Sequence, residues 1–321
     1  MKSKSQVFLT VAMIGFVTLA CDMGTGGNGG PPDPPSPGDT IVNSLGMTMA
    51  WVPPGTFTKG SPEGESGRID ARENQVEITL SQGFWMFVHQ VTQSQYVELM
   101  GNNPSQFLIV PLPDAQARRP VERVSWYDAI VFANMLSIRE GLSPAYRILG
   151  STNPVDWGPV PASQNAEWNA VEIVPDATGY RLPTSAQWEW ACRADTTTAF
   201  NDGLTNDMAD HDALELLGWF SFNTDGTPRQ VALKAPNAWG LYDMHGNLFD
   251  WTWDLFDAGF CYSDGPSVDP TGPISLETQT YRVYRGGSFI GGNNQARSAH
   301  RGFTRPYVLH QFRGLRLIRP Y

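Results

Sequence analysis

The C-terminal segment, residues 281–321, carries a charge unlike that of the rest of the chain. It holds eight arginines, no lysine and no acidic residue, so residues 1–280 carry the other 14 basic residues against all 32 acidic ones. Guanidinium groups bind carboxylates through paired, charge-assisted hydrogen bonds. We therefore expect these arginines to pair with the acidic body and to anchor the segment to it.

Three short motifs in the C-terminal segment are separated by residues that follow neither a helical nor a strand period. They are 285–288 (Arg-Gly-Gly-Ser), 297–299 (Arg-Ser-Ala) and 314–317 (Gly-Leu-Arg-Leu). This pattern indicates loops held on a scaffold, which is where binding residues usually lie.

Composition limits the fold and the function. A chain of 321 residues with 41% hydrophobic content can bury a substantial core. Its 32 glycines and 25 prolines, with 11 tryptophans, favour a compact domain rich in turns and loops over a helical bundle. The net charge of −10 argues against a nucleic-acid partner, because phosphate binding requires a basic face. Three cysteines are too few for a disulfide framework, and we favour free thiols at Cys192 and Cys261 over a single pair between them.

The N-terminus has the pattern of an export signal. Lys2 and Lys4 precede an apolar run over 7–20, which ends at Cys21 in a sequence that resembles a bacterial lipobox. An ordinary signal peptide with an incidental cysteine is the alternative. Residues 22–40 are rich in glycine and proline and are predicted to be a disordered tether. The prediction is a signal peptide over 1–21 lipidated at Cys21, a tether over 22–40 and one domain over 41–321. Such a protein is exported and lipid-anchored to the outer membrane or cell surface.

Local patterns predict strands near both ends of the domain. Residues 47–52 and 55–60 are expected to be strands around a Pro-Pro turn, and 75–80 with 84–89 a hairpin. Further strands are expected at 282–285 and 315–318.

Capping patterns predict three helices. One begins after Thr92 and runs through Met100, one begins after Ser125 and ends before Gly141, and one begins after Thr184. Residues 143–178 are expected to be an irregular insertion on the surface.

Six motifs in order along the chain resemble the sulfatase-modifying-factor family, also called the formylglycine-generating enzyme family. The resemblance implies an α+β domain of the formylglycine-generating-enzyme type of C-type lectin fold, loop-rich, with a small antiparallel sheet and two to three helices. The motifs are Phe87-x4-Thr92-x3-Tyr96, Pro120-Val-x-x-Val-Ser-Trp126, Arg181-Leu-Pro-Thr184 with Trp188-Glu189, Asn237-x-x-Gly-Leu-Tyr-Asp-Met244-x-Gly-Asn247-x-x-Asp-Trp251, Arg285-Gly-Gly-Ser288 and Gly314-Leu-Arg316.

The resemblance also shows where the enzymatic pattern is missing. Enzymes of this family oxidise a substrate cysteine with copper held by two cysteines, and Cu(I) selects soft thiolates. In those enzymes the second cysteine follows the arginine that matches Arg297, and the first lies five residues earlier. The matching residues here are Ser298 and Asn293, and no cysteine follows Cys261. We therefore expect no oxidase chemistry, no catalytic residue and no cofactor.

Other metal chemistry has weaker support. The five histidines, at 89, 211, 245, 300 and 310, are scattered along the chain, so we do not expect a histidine-based metal centre. Four residues of the motif at 237–254 could offer hard oxygen ligands to calcium, although a structural role in a tight turn is the favoured interpretation. These residues are Asp243, Asn247, Asp250 and Asp254.

The C-terminal segment also resembles the variable region of proteins diversified by retroelements, treponemal variable lipoproteins among them. In such proteins asparagine-type codons are randomised while the scaffold stays fixed, and the matching region here is about 285–318. Phe303, Tyr307 and Phe289 are the expected anchors, because aromatic side chains bury large areas at low entropic cost. The candidate ligand-binding residues are Phe289, Ile290, Gly291, Asn293, Asn294, His300, Gly302, Phe303, Thr304, Tyr307, Leu309 and His310.

Three functions remain open at this point. The favoured one is a non-catalytic binding lipoprotein, monomeric, with a protein or other macromolecular ligand at the cell surface. The second is a divergent oxidase or metal-dependent enzyme that uses the same scaffold. The third is an adhesion or accessory lipoprotein of fixed specificity.

Overall fold

Short strands joined by long connections form most of the frame in the computed structural model, which describes residues 34–108, 116–257, 265–273 and 280–321. The signal peptide with Cys21, most of the tether and Cys261 lie outside the described residues. The segment from Pro35 to Tyr321 forms one compact unit. Within the described ranges, no helix has the length and apolar character needed to cross a bilayer.

All three predicted helices are confirmed, each beginning at a capping box. Thr92, Ser125 and Thr184 accept hydrogen bonds from backbone N–H groups three residues on, and the side chains there bond back to the caps. Two short helices were not predicted. The α-helices of the described part are α1 (Gln93–Met100), α2 (Trp126–Arg139), α3 (Ala166–Asn169), α4 (Ser185–Arg193) and α5 (His211–Leu217).

The strands of the described residues are short and divide into five small sheets. In chain order they are β1 (Thr40–Val42), β2 (Thr48–Val52), β3 (Gly55–Lys59), β4 (Val76–Leu80), β5 (Phe84–Phe87), β6 (Tyr146–Arg147), β7 (Glu172–Ile173), β8 (Gly218–Trp219), β9 (His245–Gly246), β10 (Phe249–Leu255), β11 (Ser267–Val268), β12 (Arg282–Arg285), β13 (Gly302–Thr304), β14 (Arg313–Gly314) and β15 (Ile318–Pro320).

Two four-stranded sheets position the C-terminal segment. One has the order β1-β2-β5-β15, so the last strand of the chain lies antiparallel to a strand from its first third. The other has the order β13-β12-β10-β14, and three of its four strands come from the C-terminal segment. The remaining sheets are β11-β4-β3, β6-β7 and β8-β9.

The predicted hairpin over 75–80 and 84–89 is wrong. Strand β4 pairs with β3, whereas β5 pairs with β2 and β15 in a different sheet. The connection passes too close to Trp51 for a side chain, since a Cβ at Gly83 would lie 2.3 Å from that ring. Every residue of β5 is buried, which suits a central strand with partners on both sides.

Two other expectations need correction. The strand predicted at 315–318 begins only at Ile318, although the carbonyls of Leu315 and Leu317 accept hydrogen bonds from Val91 and Phe87. Residues 143–178 are not a surface insertion, because they hold β6, β7 and α3. Tryptophans 157 and 168 of this segment are 4% and 3% exposed and pack edge to face in the main core.

Candidate functional site

Buried arginines hold the C-terminal segment in place, as its charge predicts. The side chains of Arg285, Arg297 and Arg316 are fully buried. Arg285 pairs with Glu189 and donates to the carbonyls of residues 299 and 300 at 2.8 and 2.6 Å. Arg316 bonds Asp250 at 3.0 Å through Nε. These residues are therefore part of the framework.

Arg297 forms the most extensive of these contacts. Its guanidinium bonds the two oxygens of Glu73 at 2.8 and 2.9 Å, a carboxylate oxygen of Glu65, and the carbonyl of Gly67 at 2.6 Å. Burial raises the pKa of Glu65 even though Arg297 opposes the shift. The segment thus locks onto the loop that precedes β4.

The carboxylate of Glu189 is the centre of a second buried charge cluster. Burial alone would raise its pKa, but Arg285, Arg193 and Lys59 together outweigh burial and lower the pKa to about 2. Burial lowers the pKa of Lys59 to about 7. This cluster joins α4, β3 and β12 at the base of the C-terminal loops.

The structure separates the candidate ligand-binding residues by exposure. Ile290, Asn294 and Leu309 are exposed. Half-buried side chains follow at Asn293, Phe303, Thr304, Tyr307 and His310. Buried residues are Phe289, Gly291, His300 and Gly302.

The four buried candidates are not displayed at the surface, where ligand-binding residues were expected. Phe289, an expected anchor, has no exposed surface and packs edge to face on Phe107 at 5.5 Å between ring centroids. A Cβ at Gly302 would lie 2.1 Å from the ring of Tyr284, the residue opposite in the sheet. The candidates were chosen because their codons can arise by randomisation, and codons carry no information on packing or strand register. The sequence alone therefore could not exclude these positions from the binding surface.

An aromatic patch, defined by Arg72, Tyr281, Phe303, Arg305 and Tyr307, lies at the β13 side of the second sheet. The guanidinium of Arg72 lies 4.8 Å from the centroid of the Phe303 ring, and Tyr281 packs on the same ring edge to face. Arg305 donates to the Tyr307 hydroxyl at 3.0 Å. Arg72 comes from outside the C-terminal segment, and nothing in the sequence around it indicated this contact.

The calcium candidates bond to protein groups rather than to one another. Asp243 accepts from the amide of Ala232 at 2.7 Å, Asp254 from that of Ser185 at 2.6 Å, and Asp250 from Arg316. Asn247 bonds the backbone of residue 229 through both amide atoms. Among the described residues, no group of three acidic, histidine or cysteine side chains could hold a metal ion.

The two positions of the family's copper cysteines are engaged differently. The amide of Asn293 donates to the carbonyl of Met208 at 2.8 Å. The hydroxyl of Ser298 lies 3.6 Å from the sulfur of Cys192, which in turn lies 3.8 Å from Nε2 of His245. The sequence did not indicate this approach of a thiol to position 298.

This thiol is free and poorly suited to metal binding or nucleophilic chemistry. Burial raises the pKa of Cys192 to about 12, so the thiolate form is absent near neutral pH. His245 is neutral, since burial lowers its pKa to about 4. Its Nδ1 lies 2.7 Å from the carbonyl of Ala296, and its Nε2 accepts from the amide of Asn201 at 3.1 Å. The arrangement supports a structural role.

Comparisons with known proteins agree with the architecture. The chain is 32% identical to Treponema denticola variable protein 1, with a TM-score of 0.77 over 88% of this chain and 99% of that one. It is 30% identical to the chaperone protein LppX of Paenibacillus barcinonensis, over 75% of this chain and 81% of the relative. It is 27% identical to the formylglycine-generating enzyme of Streptomyces coelicolor, over 74% and 77%.

The predicted fold class is confirmed as α+β of the formylglycine-generating-enzyme type of C-type lectin fold. The family model described as "Sulfatase-modifying factor enzyme 1-like domain" matches residues 40–321. This chain therefore belongs to the sulfatase-modifying-factor family.

Proposed function

We propose that this protein is a non-catalytic, surface-displayed ligand-binding lipoprotein whose C-terminal loops form a sequence-diversified binding site. The observation that carries the proposal is a division of roles within the segment. Buried arginines bind the acidic body, whereas several residues between them remain at the surface. The similarity to a treponemal variable protein supports this interpretation.

The proposed binding surface comprises the displayed residues only. Phe303 and Tyr307 of the aromatic patch are its anchors, together with the exposed Ile290 and Leu309. Aromatic anchors of this kind carry much of the binding energy at protein interfaces. The partner is a protein or another macromolecule at the cell surface, bound by a monomer.

The location is part of the proposal. Cys21 is lipidated, the tether holds the domain away from the membrane and ends where the compact unit begins at Pro35, and the mature protein lies at the outer membrane or cell surface. Labelling of cells with a radioactive fatty acid tests the anchor. Incorporation that persists in Cys21→Ser would contradict it.

A comparison of sibling and strain sequences tests the diversification. We expect differences to concentrate between residues 289 and 312 and to favour displayed positions over Phe289 and Gly302. A nearby reverse transcriptase gene with a near-copy of the last part of the gene, differing at adenines, would support the same mechanism. Differences spread evenly along the chain would refute it and favour an adhesion protein of fixed specificity.

A second candidate function is a divergent enzyme, which the similarity to formylglycine-generating enzymes favours. The two candidates differ in their affinity for copper, since Cu(I) requires soft ligands and, among the residues that the structure describes, Cys192 is the one cysteine near position 298. We expect the purified protein not to compete with bicinchoninate for Cu(I). Tight binding that is lost in Cys192→Ala would favour the enzyme.

A further inference from the structure

A cavity of about 320 Å³ opens where the ends of β4, β5 and β15 meet the N-terminus of α4. Its lining includes the apolar side chains of Leu80, Phe84 and Ile173 and the polar side chains of Arg181, Gln187 and Asp269. None of the candidate ligand-binding residues of the C-terminal segment lines it. The cavity therefore raises a separate question of function.

Arg181 is held rigidly at the cavity wall. Its backbone pairs in both directions with Ile318, at 2.9 and 2.8 Å. Its Nη1 atom donates to the carbonyl of Leu182 at 3.1 Å and to Oε1 of Gln187 at 2.9 Å. The guanidinium group is thus fixed in position before any ligand arrives.

The charge of Arg181 lacks a counterion in the described part of the chain. There, no carboxylate lies within ion-pair distance of it, and no hydrogen bond uses its Nε or Nη2. The framework arginines 285, 297 and 316 each have a carboxylate partner. Arg181 lines the cavity and is half-buried, so an anionic ligand in the cavity would supply the missing charge partner.

The neighbours of Arg181 add a second donor. Oε1 of Gln187 accepts from Arg181 and from the amide of Thr184, so its amide NH₂ group points away from both and has no partner among the described residues. Asp269 also lines the cavity, and both of its carboxylate oxygens accept hydrogen bonds from Ser81.

We propose that this cavity binds a small organic monocarboxylate with an apolar body. The carboxylate accepts hydrogen bonds from Nε and Nη2 of Arg181, a pairing that is strong and geometrically specific. The apolar body packs on Leu80, Phe84 and Ile173. The carboxylate of Asp269, which also lines the cavity, repels dianions such as phosphate esters more strongly than monoanions. The volume lies at the lower end of the range for small-molecule sites, which limits the ligand to a compact molecule.

Benzoate is a suitable probe, with benzyl alcohol as its neutral counterpart and phenyl phosphate as a dianion. Chemical-shift titration of the purified protein measures all three. We expect saturable one-site binding of benzoate and at least tenfold weaker binding of the other two. Absence of saturation below about 10 mM benzoate, or equal affinity for benzyl alcohol, would overturn the proposal.

Two variants locate the site. Arg181→Gln removes the cation and should weaken benzoate binding at least tenfold. Ile173→Glu leaves Arg181 in place but supplies an internal carboxylate, and should abolish binding while the protein stays folded. Arg139→Gln is the matched control, because it removes an arginine that pairs with Glu98 on the surface. Benzoate affinity that survives both cavity variants would place the site elsewhere and refute the inference.

Discussion

Replacing Arg297 with methionine removes a buried charge while keeping most of the side-chain volume. The variant leaves the carboxylates of Glu65 and Glu73 without their cation, and the side chains of these two residues are 3% and 0% exposed. Breaking a buried ion pair by removing one partner costs about 3–5 kcal/mol. We expect a loss of this size in the free energy of unfolding at pH 7, measured by urea denaturation.

The pH dependence provides a sharper test of the same variant. Burial already raises the pKa of Glu65, and loss of Arg297 removes a contact that opposes the rise. The folded variant therefore takes up a proton at a higher pH than its unfolded chain does. Protonation of Glu65 then favours the folded variant. The difference in unfolding free energy between the variant and the wild type should therefore shrink as the pH falls through the raised pKa of Glu65 toward the ordinary value of 4.5.

The control for Arg297→Met is Arg139→Met, whose partner Glu98 is mostly exposed. That change should cost less than about 1 kcal/mol, because exposed ion pairs contribute little. A loss below about 1 kcal/mol for Arg297→Met as well would show that the segment is not anchored by this contact. So would a loss that does not change between pH 7 and pH 5.

Three further predictions concern packing, protonation and capping. Phe289→Ala should lower the free energy of unfolding by about 3–5 kcal/mol, because it leaves a cavity in the core. Ile290→Ala, at an exposed position, should change it by less than about 0.5 kcal/mol, as measured by thermal unfolding. Equal losses would contradict the division between buried and displayed residues. Burial lowers the pKa of His89 to about 4. The unfolded chain therefore binds a proton at His89 below pH 6.5, whereas the folded chain binds it only near pH 4. Stability is lost as the pH falls between these two values. His89→Gln should lose about 1–2 kcal/mol less than the wild type between pH 7 and pH 5, and parallel curves would contradict the shift. Thr184→Ala should lower stability by about 1 kcal/mol through loss of the α4 cap, with Thr184→Ser as the conservative control.

The sequence predicts well where chemistry is local. Thr92, Ser125 and Thr184 begin helices because a capping side chain and its partner lie three residues apart, and no tertiary contact is needed to see this. The charge pattern of the C-terminal segment also predicts that Arg285, Arg297 and Arg316 have carboxylate partners in the body of the chain. It does not predict that the buried Arg282 and Arg313 bond backbone carbonyls and contact aromatic rings.

What could not be predicted depends on contacts between distant parts of the chain. The sequences of β4 and β5 have the pattern of a hairpin. That the two strands belong to different sheets follows only from the approach of Trp51 to Gly83 and from the pairing of β5 with β2. Phe289 looks like a display residue until Phe107 is known to pack on it. The same holds for Arg72 beside Phe303, because no motif marks that contact, and for Arg181, whose motif gives no sign of the cavity beside it.

The pairing of β15 with β5 has a consequence for synthesis of the protein. The first sheet is completed only by residues 318–320, so it stays incomplete until these residues have been synthesised. A copy that loses its reading frame anywhere in the C-terminal segment loses β15 as well and leaves the edge of Phe84–Phe87 unpaired. Open edges of this kind expose a chain to aggregation and proteolysis. Folding thus selects against frame-shifted copies of the segment that we propose to vary, because those copies cannot complete the first sheet.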